Sequence, residues 1–266
     1  MKIIVVDVGG TNLKIALIKK GRVLKFKNIK TPSSEKKLLN EVVNGIKAFN
    51  SFSISKIGVS VAGPVKNGII KNPPNLPLKN FDLKTFLENK FRKKIAVEND
   101  ANCAALSELY YGVKKSNFVV ITLGTGVGCG VIINKKLYVG EGYASELGHM
   151  IIDNGRDLEY YWQLHRKKSK KYFGKEFFIK ELMEMNNKKA NDMVKENIQH
   201  MAQGFASIIN IFDPEVIVIT GGGRNNGVRY LNSVRRETHK YVIIPKKTPI
   251  YYSRIEHPEL IGASLL

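Results

Sequence analysis

A carboxylate and an imidazole lie three residues apart in the segment 145–150, which reads SELGHM. Glu146 and His149 can exchange hydrogen bonds with hydroxyl groups, and Gly148 beside them lets a ligand come close. A site that makes such bonds discriminates strongly against molecules without the hydroxyls. Glu159 is a candidate third member of the group. Because a lone histidine is more often structural, the segment predicts a site for a hydroxyl-rich ligand only together with its neighbours.

Two glycine-rich turns follow buried strands, at 7–12 (DVGGTN) and at 124–130 (GTGVGCG). Glycines let backbone N–H groups approach phosphate oxygens, and Asp7 can hold Mg²⁺ directly or through water. The second turn leads into a strand rather than a helix, which argues against a dinucleotide-binding fingerprint. Either turn alone can be an ordinary hairpin, but the pair favours nucleotide binding. A third turn, 221–223, either leaves room for a nucleobase or ribose or is simply a sharp turn.

The pair Asn99-Asp100 lies at a predicted junction of a strand and a helix. The helix dipole favours the charged form of Asp100, which could accept the proton of a substrate hydroxyl during phosphoryl transfer. The alternative is helix capping, for which Asn and Asp are common choices. One of the two residues can cap the helix while the other reacts.

The elements that must position these residues alternate between strand and helix in two similar rounds. Apolar runs and helical spacing predict a helix at 35–49, another from 101 to about 112, helices over about 158–212, and a terminal helix at 259–265. The predicted strands are 2–8, 13–19, 22–27, 57–61, 95–98, 118–123, 131–133 and 216–220. The repeated pattern predicts two α/β domains with a cleft between them, where ligand sites are common.

The composition limits the class of protein. The chain has 266 residues, no apolar run near the roughly 20 residues that cross a bilayer, and two cysteines, too few for a disulfide framework. We therefore expect a cytoplasmic protein with no membrane partner. The formal charge of +20 invites a nucleic-acid hypothesis. However, the lysines are spread along the chain, and the run 165–171 (HRKKSKK) is better explained as a solvated surface, so no specific nucleic-acid partner is expected.

Taken in order, seven motifs resemble the ROK family of sugar kinases and related repressors, which have the actin-like ATPase fold. They are DVGGTN at 7–12, VAGPV at 61–65, PNLP at 74–77, VENDANCAALSE at 97–108, ITLGTGVGCGVI at 121–132, SELGHM at 145–150 and ITGGG at 219–223. The resemblance covers nearly the whole chain. It implies a small domain of residues 1–100 plus about 254–266, a larger domain of 101–253, and a homodimer.

The resemblance also implies roles for individual residues, with ATP and Mg²⁺ as cofactors. Asp100 would be the base that activates the 6-hydroxyl of a hexose, and Asp7 would lie near the Mg²⁺. The sugar would be bound by Gly63, Asn75, Asn99, Asp100, Glu146, His149 and Glu159. The nucleotide would be bound by Gly9, Gly10, Thr11, Asn12, Gly124, Thr125, Gly126, Gly128, Gly221, Gly222 and Gly223. Asn12 departs from the family, in which many members have Lys at that position.

A larger departure follows His149. The family often continues with a zinc-binding loop of the type C-x-C-G-x-x-G-C before Leu-Glu, whereas here 151–157 reads IIDNGRD and runs directly into Leu158-Glu159. We expect no zinc, and another hydrogen-bond partner must then orient His149.

The predicted function is ATP-dependent phosphorylation of a hexose, with glucose as the default substrate. An N-acetylhexosamine kinase (for N-acetylmannosamine or N-acetylglucosamine) or a fructokinase is the alternative enzyme. A sugar-responsive DNA-binding regulator is the alternative from another class. It is disfavoured because the first strand is predicted to begin at Lys2, before any helix-turn-helix domain, and because Asp100 is retained.

Overall fold

The structure is a computed structural model that describes residues 2–49 and 54–266. Its first sheet has the strand order β3-β2-β1-β4-β8. The hairpin strands β1 to β3 are antiparallel, while β4 and β8 run parallel to β1. These strands are β1 (Lys2–Val8), β2 (Asn12–Lys19), β3 (Arg22–Lys30), β4 (Ile54–Val61) and β8 (Lys94–Asn99).

The second sheet repeats this strand order, as β11-β10-β9-β14-β15. Its strands β9, β14 and β15 are parallel. The strands are β9 (Phe118–Leu123), β10 (Val127–Ile133), β11 (Lys136–Leu137), β14 (Val216–Thr220) and β15 (Ile250–Tyr252). The repeated order agrees with the prediction of two similar α/β halves.

Helices and short strands complete the described residues. The α-helices are α1 (Glu35–Phe49), α2 (Leu83–Phe91), α3 (Asp100–Tyr111), α4 (Leu158–Phe173), α5 (Ile179–Glu184), α6 (Lys188–Phe212), α7 (Gly227–Thr238) and α8 (Pro258–Ala263), and the 3-10 helices are Leu147–His149 and Gly222–Asn226. The short strands are β5 (Val65–Lys66), β6 (Ile69–Ile70), β7 (Phe81–Asp82), β12 (Ile151–Asp153) and β13 (Arg156–Asp157). Within the described ranges, no helix combines the length and apolarity needed to cross a membrane.

The predicted elements are mostly present, and several others were not predicted. Helix α1 has the predicted bounds, and β4 and β10 begin earlier than predicted. The sequence analysis missed α2, α7, β15 and the small strands. Helix α7 buries Tyr230, Leu231 and Val234, which lie at helical spacing. That spacing was therefore a usable signal, although the segment is otherwise basic and begins in glycines.

The chain divides into two compact units. Unit 1 comprises Met1–Lys114, Gly130–Ala144 and Arg254–Leu266, and unit 2 comprises Lys115–Cys129 and Ser145–Ser253. Unit 1 therefore contains α3 and the stretch Gly130–Ala144, which the sequence analysis assigned to the larger domain. Helix α3 belongs to unit 1 because it packs there: its Cys103 carbonyl lies against Gly262 of α8, which is also part of unit 1.

The closing helix α8 fills one face of the first sheet. Leu260, Ile261 and Ala263 join a buried cluster with Val5 and Ile18. The approach of the backbones is close: a Cβ on Gly262 would lie 1.7 Å from the Cys103 carbonyl oxygen, and one on Gly58 would lie 1.9 Å from the Ala263 carbonyl oxygen. Both glycines are needed because no side-chain atom fits in these contacts.

We predict that Gly262→Ala destabilises the protein. At an exposed helix position, a change from Gly to Ala raises the free energy of unfolding by up to about 1 kcal/mol. In a closely packed position, the added methyl group lowers it by about 1–3 kcal/mol. The clash with backbone atoms cannot be relieved by a rotamer change, so the second effect should dominate. Urea unfolding monitored by circular dichroism gives the sign, and an unchanged or raised free energy of unfolding would contradict the close contact.

A buried histidine in α4 makes stability depend on pH. His165 is 3% exposed, and neither ring nitrogen has a hydrogen-bond partner among the residues that the structure describes. Burial, assisted by the charge of Arg166, lowers the pKa of His165 to about 4. The unfolded chain therefore binds this proton more readily than the folded one. The resulting stability is complete above about pH 6.5 and is lost as the pH falls towards 4.

We predict that wild-type protein loses about 2.5 kcal/mol more stability than His165→Leu between pH 7.5 and 4.5. The leucine cannot be protonated, so only the wild type carries this penalty. Urea unfolding of both proteins at the two pH values measures the difference. Parallel losses in the two proteins would show that His165 does not titrate in this way.

Candidate functional site

In unit 1 the predicted site residues lie at the carboxyl ends of three adjacent strands. Strands β1, β4 and β8 run parallel, and their register pairs Asp7 with Ser60 and Val61 with Asn99. The carboxyl edge of a parallel sheet is the usual place for ligands in such folds. The glycine turn after β1, the Gly63 turn after β4 and the Asn99-Asp100 junction after β8 therefore share one edge.

Close backbone contacts join these turns to the loop that contains Asn75. A Cβ on Gly10 would lie 2.8 Å from the Asn75 Cβ, and one on Gly63 would lie 2.6 Å from the Pro73 Cβ. Gly63 has φ +134°, a conformation that favours glycine. The structure thus brings Gly10, Gly63 and Asn75 together within unit 1. Their roles in binding sugar or nucleotide stay predictions.

The Asn99-Asp100 pair lies at the start of α3. Asn99 is the N-cap: its side-chain oxygen accepts from the N–H groups of Ala101 and Asn102, at 2.9 and 3.1 Å. Its Nδ2 donates to the Gly63 carbonyl at 3.1 Å. Asp100 follows as the first helical residue, and its Oδ1 also accepts from the Ala101 N–H at 2.9 Å. Since Asn99 already caps the helix, Asp100 is not needed as the N-cap.

Asp7 belongs to a buried charge cluster that the sequence analysis did not foresee. Its two oxygens accept from the Ser60 hydroxyl at 2.9 Å and from the Lys14 ammonium at 3.0 Å. Lys14 also bonds Glu259 of α8 at 2.5 Å. Burial and repulsion from Glu259 raise the pKa of Asp7 to about 6 against the opposing effect of Lys14. Burial acts to lower the pKa of Lys14, but the two carboxylates raise it overall.

This cluster bears on the predicted magnesium role of Asp7. A carboxylate is the kind of oxygen donor that Mg²⁺ prefers, and Mg²⁺ usually keeps several of its waters. Each Asp7 oxygen already accepts one hydrogen bond, and the residue is 3% exposed. The side chain therefore fits contact through a metal-bound water better than direct ligation.

In unit 2 the helix α4 holds the second glycine turn with one stripe of side chains. Glu159 Oε2 accepts from Val127 N–H at 2.8 Å, and Trp162 Nε1 donates to the Gly124 carbonyl at 3.0 Å. The Thr125 carbonyl accepts from Gln163 at 3.2 Å and from Arg166 at 2.9 Å. Positions 159, 162, 163 and 166 lie on one helix face.

The turn itself is shorter than predicted. Strand β10 begins at Val127, so Gly128 and Gly130 are strand residues and the irregular part is limited to 124–126. The expectation of a turn over 124–130 was wrong because glycines in a strand interior give the same local signal as glycines in a turn. Gly130 instead allows a close backbone approach, since a Cβ there would lie 2.4 Å from the Ala101 carbonyl oxygen.

Both glycine turns leave neighbouring N–H groups unused. At the first turn the carbonyls of Gly9 and Thr11 accept from Thr31. Within residues 2–49 and 54–266, the N–H groups of Gly10 and Thr11 have no hydrogen-bond partner. The same is true, over the same residues, of the N–H groups of Thr125 and Gly126. A turn whose carbonyls are already hydrogen-bonded, and whose adjacent N–H groups are not, can bind an anion through those N–H groups.

The third turn lies beside the second. The parallel register pairs Thr220 with Thr122, so Gly221 follows directly at the end of β14. A Cβ on Gly221 would lie 2.7 Å from the Leu123 carbonyl oxygen, and one on Gly223 would lie 2.5 Å from the Leu123 Cβ. Gly221–Gly223 thus packs on the residue that precedes Gly124, which brings these two predicted nucleotide-binding turns together within unit 2.

The segment with Glu146 and His149 packs next to the second turn, on the first residue of β10. A Cβ on Gly148 would lie 2.0 Å from the Val127 carbonyl oxygen. Burial raises the pKa of Glu146, the charge of His149 opposes this, and Glu159 adds to it. The charges of Glu146, His149 and Glu159, the three predicted sugar ligands of unit 2, are therefore close enough to influence one another electrostatically. Their role as sugar ligands stays a prediction.

An aspartate, Asp157, bonds the ring of His149. His149 Nδ1 lies 2.9 Å from Asp157 Oδ2, and this hydrogen bond is the main cause that raises the pKa of His149. In the described part of the chain, no three His, Cys, Asp or Glu side chains are grouped as metal ligands. The expected absence of zinc stays a prediction, but the partner required in place of zinc is present.

Sequence reasoning missed several residues of this site, namely Lys14, Asp157, Trp162, Gln163 and Arg166. Two of them had usable signals. The tight hairpin after β1 pairs Asp7 with Lys14 directly across the strands, which follows from the loop length. Asp157 immediately precedes a helix, as an N-cap residue should. The contacts of α4 had no such local signal, because they span 32 to 41 positions in sequence.

Comparison with known proteins identifies relatives along the whole chain. The xylose repressor of Bacillus spizizenii is 31% identical over 210 residues, which cover 72% of this chain and 54% of the repressor. The chain thus spans about half the length of that relative. The glucokinase of Pyrobaculum calidifontis is 29% identical over 239 residues, covering 81% of this chain and 77% of the glucokinase.

A solved structure shows the same fold. The ROK family glucokinase from Streptomyces griseus, in complex with glucose and AMPPNP, matches with a TM-score of 0.85 and 24% identity, covering 99% of this chain and 98% of that chain. This likeness confirms the predicted actin-like ATPase fold. The family model described as the ROK family matches residues 3–159 and 154–266. Together, the motifs and these matches show that the chain belongs to the ROK family.

Proposed function

We propose that this protein is an ATP-dependent sugar kinase that phosphorylates the 6-hydroxyl of a hexose, with glucose as the first candidate. The observation that carries the proposal is the pair of turns, Gly9–Thr11 and 124–126, each with tied carbonyls and adjacent unused N–H groups among the described residues. Adjacent backbone N–H groups of this kind can bind phosphate oxygens. The glucokinase relatives support the same reaction.

In this mechanism Asp100 accepts the proton of the sugar hydroxyl while the hydroxyl oxygen forms a bond to the γ-phosphorus of ATP. The bond from that phosphorus to the bridging oxygen breaks at the same time, and ADP leaves with the electron pair. Mg²⁺, when bound, neutralises charge on the phosphates. The hydrogen bonds of Asn99 fix the backbone on both sides of Asp100. Homodimer assembly, which the family resemblance implies, and a cytoplasmic location, which the composition favours, belong to the same proposal.

Within each unit, the predicted sugar ligands offer a different kind of polar group. Asn75 and Asn99 supply amides in unit 1, whereas unit 2 supplies the carboxyl groups of Glu146 and Glu159 and the imidazole of His149. In Glu159, Oε2 is occupied by Val127 N–H and Oε1 accepts from Gln163 at 3.2 Å. Each carboxylate oxygen can accept a second bond. Glu159 therefore fits a double role, in which it supports the phosphate turn and contacts a hydroxyl. The alternative sugars, N-acetylhexosamines and fructose, differ in the groups presented to these acceptors.

We predict that Asp100→Asn lowers kcat by about 10²- to 10⁴-fold, because the amide cannot take the hydroxyl proton. The measurement is ADP release in a coupled assay over glucose, mannose, fructose, N-acetylglucosamine and N-acetylmannosamine. Asp192→Asn, an exposed aspartate on α6, removes the same charge and is the matched control. Full activity of Asp100→Asn would contradict the assignment of Asp100 as the base. If the wild type released no ADP with any of these sugars, the proposed kinase function would be wrong.

We predict that the purified protein contains far less than one zinc per chain. Treatment with EDTA followed by magnesium should leave KM for the sugar unchanged, because Asp157 rather than a metal holds His149. Elemental analysis on the sample used for the kinase assay measures the zinc. Stoichiometric zinc would contradict the deleted metal loop.

A sugar-responsive regulator is the second candidate, favoured by the likeness to the xylose repressor. The two functions separate in a DNA-binding titration against salt. A regulator binds one DNA sequence tightly and keeps its preference for that sequence as the salt concentration rises. A protein that is only strongly basic, as the formal charge of +20 makes this one, binds all DNA weakly, and its affinity falls as the salt concentration rises.

A further inference from the structure

A short hairpin joins His149 to the start of α4. Strands β12 and β13 pair antiparallel, with Ile151 opposite Asp157, and Asn154 and Gly155 form the turn with φ +46° and +67°. An Asn-Gly turn with two positive φ angles is the favoured two-residue hairpin connection. The hairpin returns the chain so that Asp157 lies beside His149, eight positions earlier.

Asp157 uses its two oxygens for two different tasks. Its Oδ1 accepts from Tyr160 N–H at 2.7 Å and so caps α4. Its Oδ2 lies 2.9 Å from His149 Nδ1. Asp157 has only acceptor atoms, so the hydrogen between it and the ring must be on Nδ1. In the neutral ring, Nε2 then carries the lone pair and can accept from a hydroxyl.

The same helix terminus carries Glu159, which bonds the phosphate turn at Val127 N–H. Asp157 is therefore bonded to His149 on one side and, through the first turn of α4, placed close to Glu159 on the other. Both groups are sugar-ligand candidates, and one is also attached to a nucleotide-binding candidate. The side chain of His149 is 56% exposed and that of Asp157 is 27% exposed, so the ring can reach a ligand while its partner is more sheltered.

We propose that Asp157 is a positioning residue for sugar binding: it fixes His149 as the Nδ1–H tautomer, with Nε2 as the acceptor for a sugar hydroxyl. The inference rests on the proposed sugar-kinase function for its kinetic consequence, but not for the tautomer. It assigns a role to a residue that touches neither sugar nor nucleotide in the proposed mechanism. The hydrogen bond to Asp157 and the charges of Glu159, Asp157 and Glu146 raise the pKa of His149 against the opposing effect of burial. Nε2 is therefore an acceptor only above that raised pKa, and the tautomer is measured at a pH at which the ring is neutral.

The variant Asp157→Asn separates capping from positioning. Asn is as good an N-cap as Asp, and its single oxygen is required by Tyr160 N–H. The remaining NH₂ group can only donate to Nδ1, so the ring must move its hydrogen to Nε2. We predict that His149 switches tautomer in Asp157→Asn, while α4 and the fold remain intact. Long-range ¹H–¹⁵N correlation spectra of histidine-labelled protein measure this, with His149→Gln identifying the signal among five histidines.

Kinetics give a second, independent measurement. The switch removes the acceptor from Nε2, so KM for the sugar should rise by about 10- to 100-fold, whereas KM for ATP should stay within about two-fold if the effect passes only through His149. In the His149→Gln background, Asp157→Asn should have little further effect. The matched control is Asp82→Asn, which changes the N-cap of α2, bonded to Thr85 N–H at 2.9 Å, and should change neither measurement.

The outcomes are distinguishable. An unchanged His149 tautomer in Asp157→Asn would overturn the proposal, as would additive effects of the two substitutions on KM. A tautomer switch in a protein that phosphorylates no sugar would support the positioning of His149 and reject the kinase function. If Asp157→Asn unfolds, Asp157→Ser retains a cap but is too short to reach the ring. It should then release the fixed tautomer, and a persisting Nδ1–H form would overturn the proposal.

Discussion

The satisfaction of backbone carbonyls at two turns is the constraint on which the rest of the site depends. A turn can present N–H groups to an anion only if its carbonyls are directed elsewhere and bonded there. At the first turn one residue, Thr31, does this for Gly9 and Thr11. At the second turn three side chains of α4 bond the carbonyls of Gly124 and Thr125. The carbonyls of the first turn are thus bonded by one residue that follows a strand, and those of the second turn by side chains of a helix.

The use of a helix at the second turn connects a predicted nucleotide-binding turn with predicted sugar ligands. The stripe on α4 begins at Glu159 and continues to Arg166, while the cap of the same helix, Asp157, bonds His149. A shift of α4 along its axis would disturb the turn and the histidine together. Among residues 2–49 and 54–266, the first turn has no such hydrogen bonds to its carbonyls from a helix. The adjacent Asp7 is bonded to Ser60 and to Lys14, which in turn bonds Glu259 of α8.

The sequence predicts what is local and misses what depends on distant packing. Most of the long strands and helices, the glycine turns and the helix cap at Asn99-Asp100 follow from short-range patterns, such as Gly9-Gly10 between two apolar runs or Asn-Asp before an alanine-rich helix. Glycines mislead where one residue type has two uses, as in the 124–130 segment, where Gly128 and Gly130 lie within a strand. The charge cluster of Asp7, Lys14 and Glu259 includes a partner 245 positions away. Such a contact depends on the assembled fold, and no pattern along the chain reports it.

The closing helix α8 has a consequence for how the protein is made on the ribosome. Unit 1 needs residues 254–266 to complete its core, yet they are synthesised after all of unit 2. Until then, Val5, Ala16 and Ile18 lack the apolar partners Leu260, Ile261 and Ala263. Lys14 likewise lacks one of its two carboxylates. The nascent first unit therefore exposes apolar surface until α8 has been made and has packed on the sheet.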